Sequence, residues 1–296
     1  MKTLVTGASG FLGREVAARF RQQGDVVALG HTQTRAGELA CDLRDPEALN
    51  NLLRREAPDC VVHCAAYRDP DFCEDHPEEA WRLNVDPVRL MCERLPAPVA
   101  FVQISTDYVF DGETPPYSEN SPRRPVNTYG ETKAAAEDIV LRRAGSLILR
   151  MPLLVGAGLD ELRSGVISQL YTQLLNPAPQ DVDHGILRFP TWIGDVAEAL
   201  AFLLERRATG VFHISSRQPL TRYDCIQVVA CVAQRSSAQF HPLRTPELRS
   251  ARRPHNSQLS TTALRALGFH ETASFESVVR EVLSRFSLLP ESKGGS

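Results

Sequence analysis

Residues 2–14 constrain the fold of this chain more than any other stretch. Lys2, Thr3, Leu4, Val5 and Thr6 form a largely apolar, β-rich run that passes through Gly7, Gly10 and Gly13 into a segment where Val16, Ala17 and Phe20 recur at helical spacing. A strand, a tight glycine turn and a helix in that order are the context of a dinucleotide-binding fingerprint. Gly7 permits the turn, and Gly10 lets backbone approach a pyrophosphate with no Cβ in the way. Gly13 allows close packing of helix on strand, and the helix N-terminus faces the phosphates. A glycine loop without a ligand is the competing reading, and the Gly-x-x-Gly-x-x-Gly spacing so close to the N-terminus weighs against it.

The following sequence keeps the same rhythm. Short apolar runs predict strands over 3–6, 26–29, 38–41, 60–63, 100–104 and 147–149. Helical patterns predict helices over 11–23, 46–56, 77–95 and 128–143. Alternation of this kind implies an α/β fold with a Rossmann-type doubly wound parallel sheet covered on both faces. Beyond residue 150 the rhythm breaks into helices expected over 160–175, 194–207, 221–234 and 275–286, a strand over 210–214, and Pro-rich loops. We therefore expect a Rossmann domain over 1–150 and a smaller mixed α/β substrate-binding domain over 151–290, of which a part near 190–215 packs back on the sheet. Residues 291–296 read as a flexible tail.

Composition narrows the function. Of 296 residues, 43% are hydrophobic and 23% charged, an ordinary globular balance. With 33 basic and 36 acidic side chains well mixed, a nucleic-acid footprint is not expected. No apolar run approaches the roughly 20 residues of a membrane span, and the N-terminus leads straight into a strand rather than a signal peptide. Seven cysteines without Cys-x-x-Cys suit a reducing compartment, so a cytoplasmic protein is expected. Neither the cysteines nor the eight histidines show metal-ligand spacing, and no metal is expected.

Chemistry enters at Tyr129 and Lys133. Four residues apart on a helix, the two share a face, and a nearby ammonium is expected to lower the phenol from about 10 towards working pH. Such a phenol exchanges a proton with a substrate oxygen while hydride moves at the adjacent carbon. An isolated Tyr-x-x-x-Lys match is more often an ordinary surface pair. Here it follows, by 23 residues, an apolar strand that ends in the hydroxyls Ser105 and Thr106, which would point into the ligand crevice. The competing reading has those hydroxyls merely capping the strand.

In this order, the glycine turn, the strand-end hydroxyl and Tyr129 with Lys133 resemble the extended short-chain dehydrogenase/reductases over nearly the whole chain. Residues 105–110, 125–133 and 251–257 are similar to the dTDP-4-dehydrorhamnose reductases. Asp183 and His184, with residues 188–191, are similar to the regulatory β subunit of methionine adenosyltransferase. The resemblance implies Thr106, Tyr129 and Lys133 as the catalytic residues. It also implies a cofactor site comprising Gly7, Gly10, Phe11, Leu12, Gly13 and Arg14, with Asp42 and Leu43 beside the adenine. Ala65, Ala66 and Tyr67 would follow along the cofactor, Asn84 would support the active site, and Tyr129 and Lys133 would complete it.

At the end of the second strand, Gly30 stands where an NAD-preferring site usually carries an acid. Arg14, His31 and Arg35 are available there as donors, so NADP(H) is favoured over NAD(H). On the substrate side, Thr106, Asp107, Tyr108, Arg188 and Arg253 are the candidates, the arginines suiting a diphosphate. A keto group on a nucleotide-activated deoxysugar is the leading substrate. Leu153 stands where the reductases tend to show Trp, and this keeps two alternatives open. One is a non-catalytic NADP-binding subunit partnered with a methionine adenosyltransferase, and the other is a nucleotide-sugar epimerase or dehydratase. A homodimer is an open option.

Overall fold

The computed structural model describes residues 1–31, 34, 37–157, 165–244, 249–271 and 273–289. The first half contains β1 (Lys2–Thr6), α1 (Phe11–Arg21), β2 (Asp25–Gly30), β3 (Glu38–Ala40), α2 (Pro46–Glu56), β4 (Cys60–His63), α3 (Pro70–Asp75), α4 (Pro77–Asn84), α5 (Asp86–Arg94) and β5 (Ala100–Thr106). A 3-10 turn over Asp107–Val109 is followed by α6 (Thr128–Leu141) and β6 (Ser146–Met151). The second half contains β7 (Leu154–Val155), α7 (Val166–Leu174), β8 (Gln180–Asp183), β9 (Thr191–Trp192), α8 (Ile193–Glu205), β10 (Gly210–His213), α9 (Arg222–Ala233), β11 (Phe240–Leu243), α10 (Thr262–Ala266) and α11 (Phe275–Arg285). The start of the helix expected over 160–175 and the tail at 291–296 lie outside the described residues.

Seven parallel strands form the central sheet in the order β10-β6-β5-β4-β1-β2-β3. The Rossmann-type doubly wound sheet read from the sequence is the one observed. The order reverses at β1, which lies between β2 and β4, and ligands of such sheets bind outside the carboxyl ends of the strands at this point. Register sets those ends side by side, pairing Thr6 with His63 and His63 with Gln103. β4 and β6 are buried throughout, as expected of central strands covered on both faces.

The two faces carry separate apolar clusters. On one, Val16, Ala17 and Phe20 of α1 meet Val196, Ala197, Leu200 and Leu203 of α8. The segment after β9 thus returns to the sheet, α8 lying on α1 and β10 extending the edge beside β6. On the other face, Leu49 and Leu53 of α2, Val88 and Met91 of α5 and Val140 of α6 pack on Leu4, Val61 and Ile148. A third cluster belongs to the second lobe, where α7, α9 and α11 enclose Ile167, Leu170, Ile226, Val229, Val279 and Leu283 beside the parallel pair β8 and β11.

One helix differs from the sequence reading. The expected helix over 77–95 is two, α4 and α5, divided at Val85. Pro87 has no backbone N–H and its ring clashes with the carbonyl four residues earlier, so the helix ends and restarts. That break leaves Asn84 buried at the end of α4. The short helix α3 and the two-residue strands β7 and β9 were not visible to periodicity, which needs a longer window.

Leu200 is fully buried between α8 and α1. Truncating it in L200A should cost about 2–5 kcal/mol of unfolding free energy, read as a lower urea midpoint with an unchanged slope.

Candidate active site

The glycine turn is built as the spacing requires. Gly10 N–H donates to the Gly7 carbonyl at 2.9 Å, and a Cβ at Gly13 would lie 2.2 Å from that same oxygen, so only glycine lets α1 start this close to the turn. Gly10 is the N-cap of α1 in extended conformation and no side chain caps the helix. The first-turn amides therefore face outward, as an anion site needs. Phe11 is half-buried at the mouth, near Gly156 and Gly165, while the side chain of Leu12 belongs to the core. Arg14 Nε donates to the Gly10 carbonyl at 3.1 Å.

The loop after β4 is held from both sides. Thr6 Oγ1 accepts from Ala65 N–H at 3.2 Å and meets His63 Nδ1 at 2.7 Å. Asn84 accepts from Tyr67 N–H at 2.8 Å, donates to the Tyr67 carbonyl at 3.0 Å, and donates to Thr132 Oγ1 on α6 at 3.0 Å. One amide thus fixes residues 65–67 and the helix bearing Tyr129 and Lys133.

At the far end of the crevice, Asp42 follows β3 and accepts twice from Arg44, at 2.9 Å through each oxygen. This pair holds the Asp42 carboxyl well below the usual carboxylate range. Arg44 also lies 3.2 Å from His31 Nε2 and donates to the Tyr67 hydroxyl at 3.4 Å. Arg44 was missed from the sequence, although a cation two residues after Asp42 was a usable signal. Leu43 points into the core, and Arg35 lies outside the described residues.

The chemical end is assembled by α6 and β5. Asn127 caps α6, accepting from Gly130 N–H at 2.9 Å, and Glu74 accepts from Thr128 N–H at 2.9 Å. A Cβ at Gly130 would meet the Tyr108 carbonyl at 2.2 Å, so the first turn of α6 lies directly on the 3-10 turn. The Tyr129 ring is edge-on to Tyr108 at 5.8 Å, and its phenol is on the side of Thr106, whose hydroxyl lowers the phenol's pKa. Lys133 is buried one turn further on.

The electrostatics correct one expectation. The Tyr129 phenol is raised above its ordinary value, not lowered. Burial raises it, with Thr106 lowering it and Asp107, Cys73 and Tyr108 raising it further. Burial likewise pushes Lys133 down to about 8, opposed by Glu137 and Cys64, and its charge helps to lower the buried His63 to about 3. The Lys133 charge also acts on His63 and Cys64.

Asp107 is buried beneath Thr106, accepting from Thr106 Oγ1 at 3.1 Å through one oxygen and from Ser257 Oγ through the other. Burial raises its carboxyl to about 6 in spite of those bonds and of Arg188. Arg188 lies 5.8 Å from the centre of the Tyr108 ring. Arg253, expected to face substrate, is paired instead: Nη1 and Nη2 donate to the two oxygens of Asp71 at 2.6 and 2.7 Å. Asp71 also accepts from Ala251 N–H at 3.0 Å, and Asn127 donates to the Arg252 carbonyl at 2.7 Å. Residues 251–257 thus form a strap over the chemical end. Ser257 and Asp71 were not singled out as site residues because their partners are more than 100 residues away in sequence.

Among the described residues no cluster of His, Cys, Asp and Glu could hold a metal ion, and no helix is long and apolar enough to cross a membrane.

Fold and site together define an extended short-chain dehydrogenase/reductase. Within that class, residues 1–288 match the family described as the RmlD substrate binding domain, and the chain belongs to it. It is 34% identical over 295 residues to methionine adenosyltransferase 2 subunit beta of Danio rerio, covering 96% of this chain and 91% of that one. It is 32% identical over 288 residues to a probable dTDP-4,6-dihydroxy-2-methyloxan-3-one 4-ketoreductase of Streptomyces antibioticus, covering 95% and 94%. Among solved structures it superposes on a dTDP-4-dehydrorhamnose reductase of Clostridium acetobutylicum with a TM-score of 0.85 at 25% identity, covering 97% of this chain and all of that one.

Arg253 holds Asp71 at about 2, below the ordinary carboxylate value. The stabilisation is therefore present above about pH 4 and is lost as pH falls through about 2. In a melting-temperature series, D71N should lower the neutral-pH value and flatten the fall across that acid window.

Proposed function

We propose that this chain is an NADPH-dependent reductase of a keto group on a nucleotide-activated deoxysugar. The observation that carries the reading is the seating of the first turn of α6, which bears Tyr129, directly on the Tyr108 carbonyl just beyond Thr106 at the carboxyl end of β5, with Lys133 one helical turn further on. The residues present fit a dinucleotide. The uncapped start of α1 takes the pyrophosphate, and residues 65–67 run along the crevice. Arg14, and Arg44 beside His31 though held by Asp42, are the guanidinium groups that favour a 2′-phosphate.

When bound, the nicotinamide supplies hydride to the ketone carbon. The chain does the rest. Tyr129 Oη gives its proton to the carbonyl oxygen as negative charge develops, and the Thr106 hydroxyl, whose one proton goes to Asp107 in the free protein, turns to donate to that oxygen when substrate binds. A phenol raised by burial remains protonated at working pH, which suits a donor. Lys133 supplies the positive charge of this end of the crevice and binds the nicotinamide ribose. Asp107 orients the Thr106 hydroxyl by accepting from it, and Ser257 fixes Asp107. Arg188, 5.8 Å from the centre of the Tyr108 ring, would meet the diphosphate of the sugar nucleotide.

The extended similarity to methionine adenosyltransferase 2 subunit beta supports a second reading, a regulatory partner of a methionine adenosyltransferase. NADPH absorbance followed with a panel of dTDP-4-keto-6-deoxy sugars separates the two. Turnover supports the reductase. Tight NADPH binding with no turnover, together with co-purification of a methionine adenosyltransferase, supports the regulator.

Removing only the proton donor in Y129F should lower kcat by about 10²–10⁴-fold and leave the Kd for NADPH nearly unchanged. T106V should lower kcat/KM by about 10²–10³-fold, as loss of one donor to the developing oxyanion does. Wild-type rates in Y129F would refute the mechanism.

A further inference from the structure

Tyr129, Lys133 and Glu137 stand four residues apart in turn and share one face of α6. Glu137 is fully buried, and both its oxygens are engaged. Oε1 accepts from Ser105 Oγ at 2.5 Å and Arg150 Nε at 2.9 Å, and Oε2 accepts from Arg150 Nη2 at 2.7 Å and Arg123 Nη1 at 3.1 Å. Ser105 directly precedes Thr106 on β5, and Arg150 lies on β6. Arg150 is held in turn by the Glu119 carbonyl at 3.2 Å, by His213 Nε2 at 3.2 Å and over the Phe110 ring at 5.2 Å. One carboxylate therefore ties the helix of Tyr129 and Lys133 to the strand of Thr106 and to the strand beyond it.

Stability alone is a poor account of such a group, because a buried ion pair is often no more stabilising than apolar packing of the same volume. Its charge does something packing cannot. We propose that Glu137 is a positioning residue: its carboxylate locks the α6 face against Ser105 and Thr106 and keeps the Lys133 ammonium charged. The inference rests on the role given above to Lys133. Burial pushes Lys133 down to about 8, and Glu137 is the first of the groups opposing that shift.

The other groups around α6 do not replace it. From β4, Cys64 and His63 face Lys133, and burial raises the thiol to about 12 and lowers the imidazole to about 3, leaving both neutral. From the 3-10 turn Asp107 and Tyr108, and from α3 Cys73, act on Tyr129. Glu74 of α3 serves the first turn of α6, Asn84 of α4 is uncharged, and Arg150 of β6 meets Glu137. Among the described residues, Glu137 is the one carboxylate that acts on Lys133.

The chain has three lysines, Lys2, Lys133 and Lys293, so their side chains can be followed separately by NMR in cofactor-free protein carrying 13Cε-lysine. In the wild type the Lys133 signal should titrate at about 8. In E137Q the Lys133 midpoint should fall by about one unit or more, and the alkaline limit of NADPH affinity should fall with it. E137Q leaves two arginines facing a neutral amide, so if it does not fold, E137Q/R150M serves instead. Loss of the Arg150 cation offsets part of the effect there, so a smaller downward shift of the Lys133 midpoint is expected. An unmoved Lys133 midpoint in either folded variant overturns the proposal. A midpoint that falls while NADPH affinity keeps its pH dependence supports the coupling and counts against Lys133 as a cofactor ligand, so the two readings fail separately.

Discussion

The first turn of α6 rests on the Tyr108 carbonyl with no room for a side chain between them, and the chemistry of the crevice depends on that contact. Gly130 makes the approach sterically allowed, Asn127 and Glu74 satisfy the amides exposed at the start of the helix, and Asn84 fastens its second turn through Thr132. Moving α6 outward by the width of a methyl group would part the Tyr129 phenol from the Thr106 hydroxyl. Proton transfer tolerates little such displacement, because the donor must be within hydrogen-bond reach of the oxygen it protonates.

The surroundings of this contact are poorer in water than the sequence suggests. Tyr129, Lys133, Asp107 and His63 are each shifted chiefly by burial, and in each case towards the neutral form. In such a medium a remaining charge acts over a longer range and with less screening than at the surface. This explains why hydroxyl-to-carboxylate contacts, such as Thr106 and Ser257 on Asp107, are used where an exposed site would use water.

Much of this was legible in the chain. The glycine turn, the alternation of short apolar runs with helical stretches, and the hydroxyl–tyrosine–lysine order specified the sheet and the meeting place of Thr106, Tyr129 and Lys133, because each rests on local spacing. What escaped was non-local. Arg253 looked like a spare cation until Asp71, 182 residues away, was found beneath it. The direction of the Tyr129 shift was misread because adjacency on a helix says nothing of how deeply the phenol itself is buried. Arg44 went unnoticed because its relation to His31 arises only when β2 and β3 lie side by side.

The strap over residues 251–257 has an implication for how the two halves of the crevice can be inherited. The glycine turn is built wholly within the first strand, turn and helix, whereas the far end draws on Asn127, Asp71 and Asp107 clasping a segment from the opposite terminus. A descendant could therefore loosen that clasp and leave the glycine turn unchanged, so the two ends of the crevice are free to diverge separately.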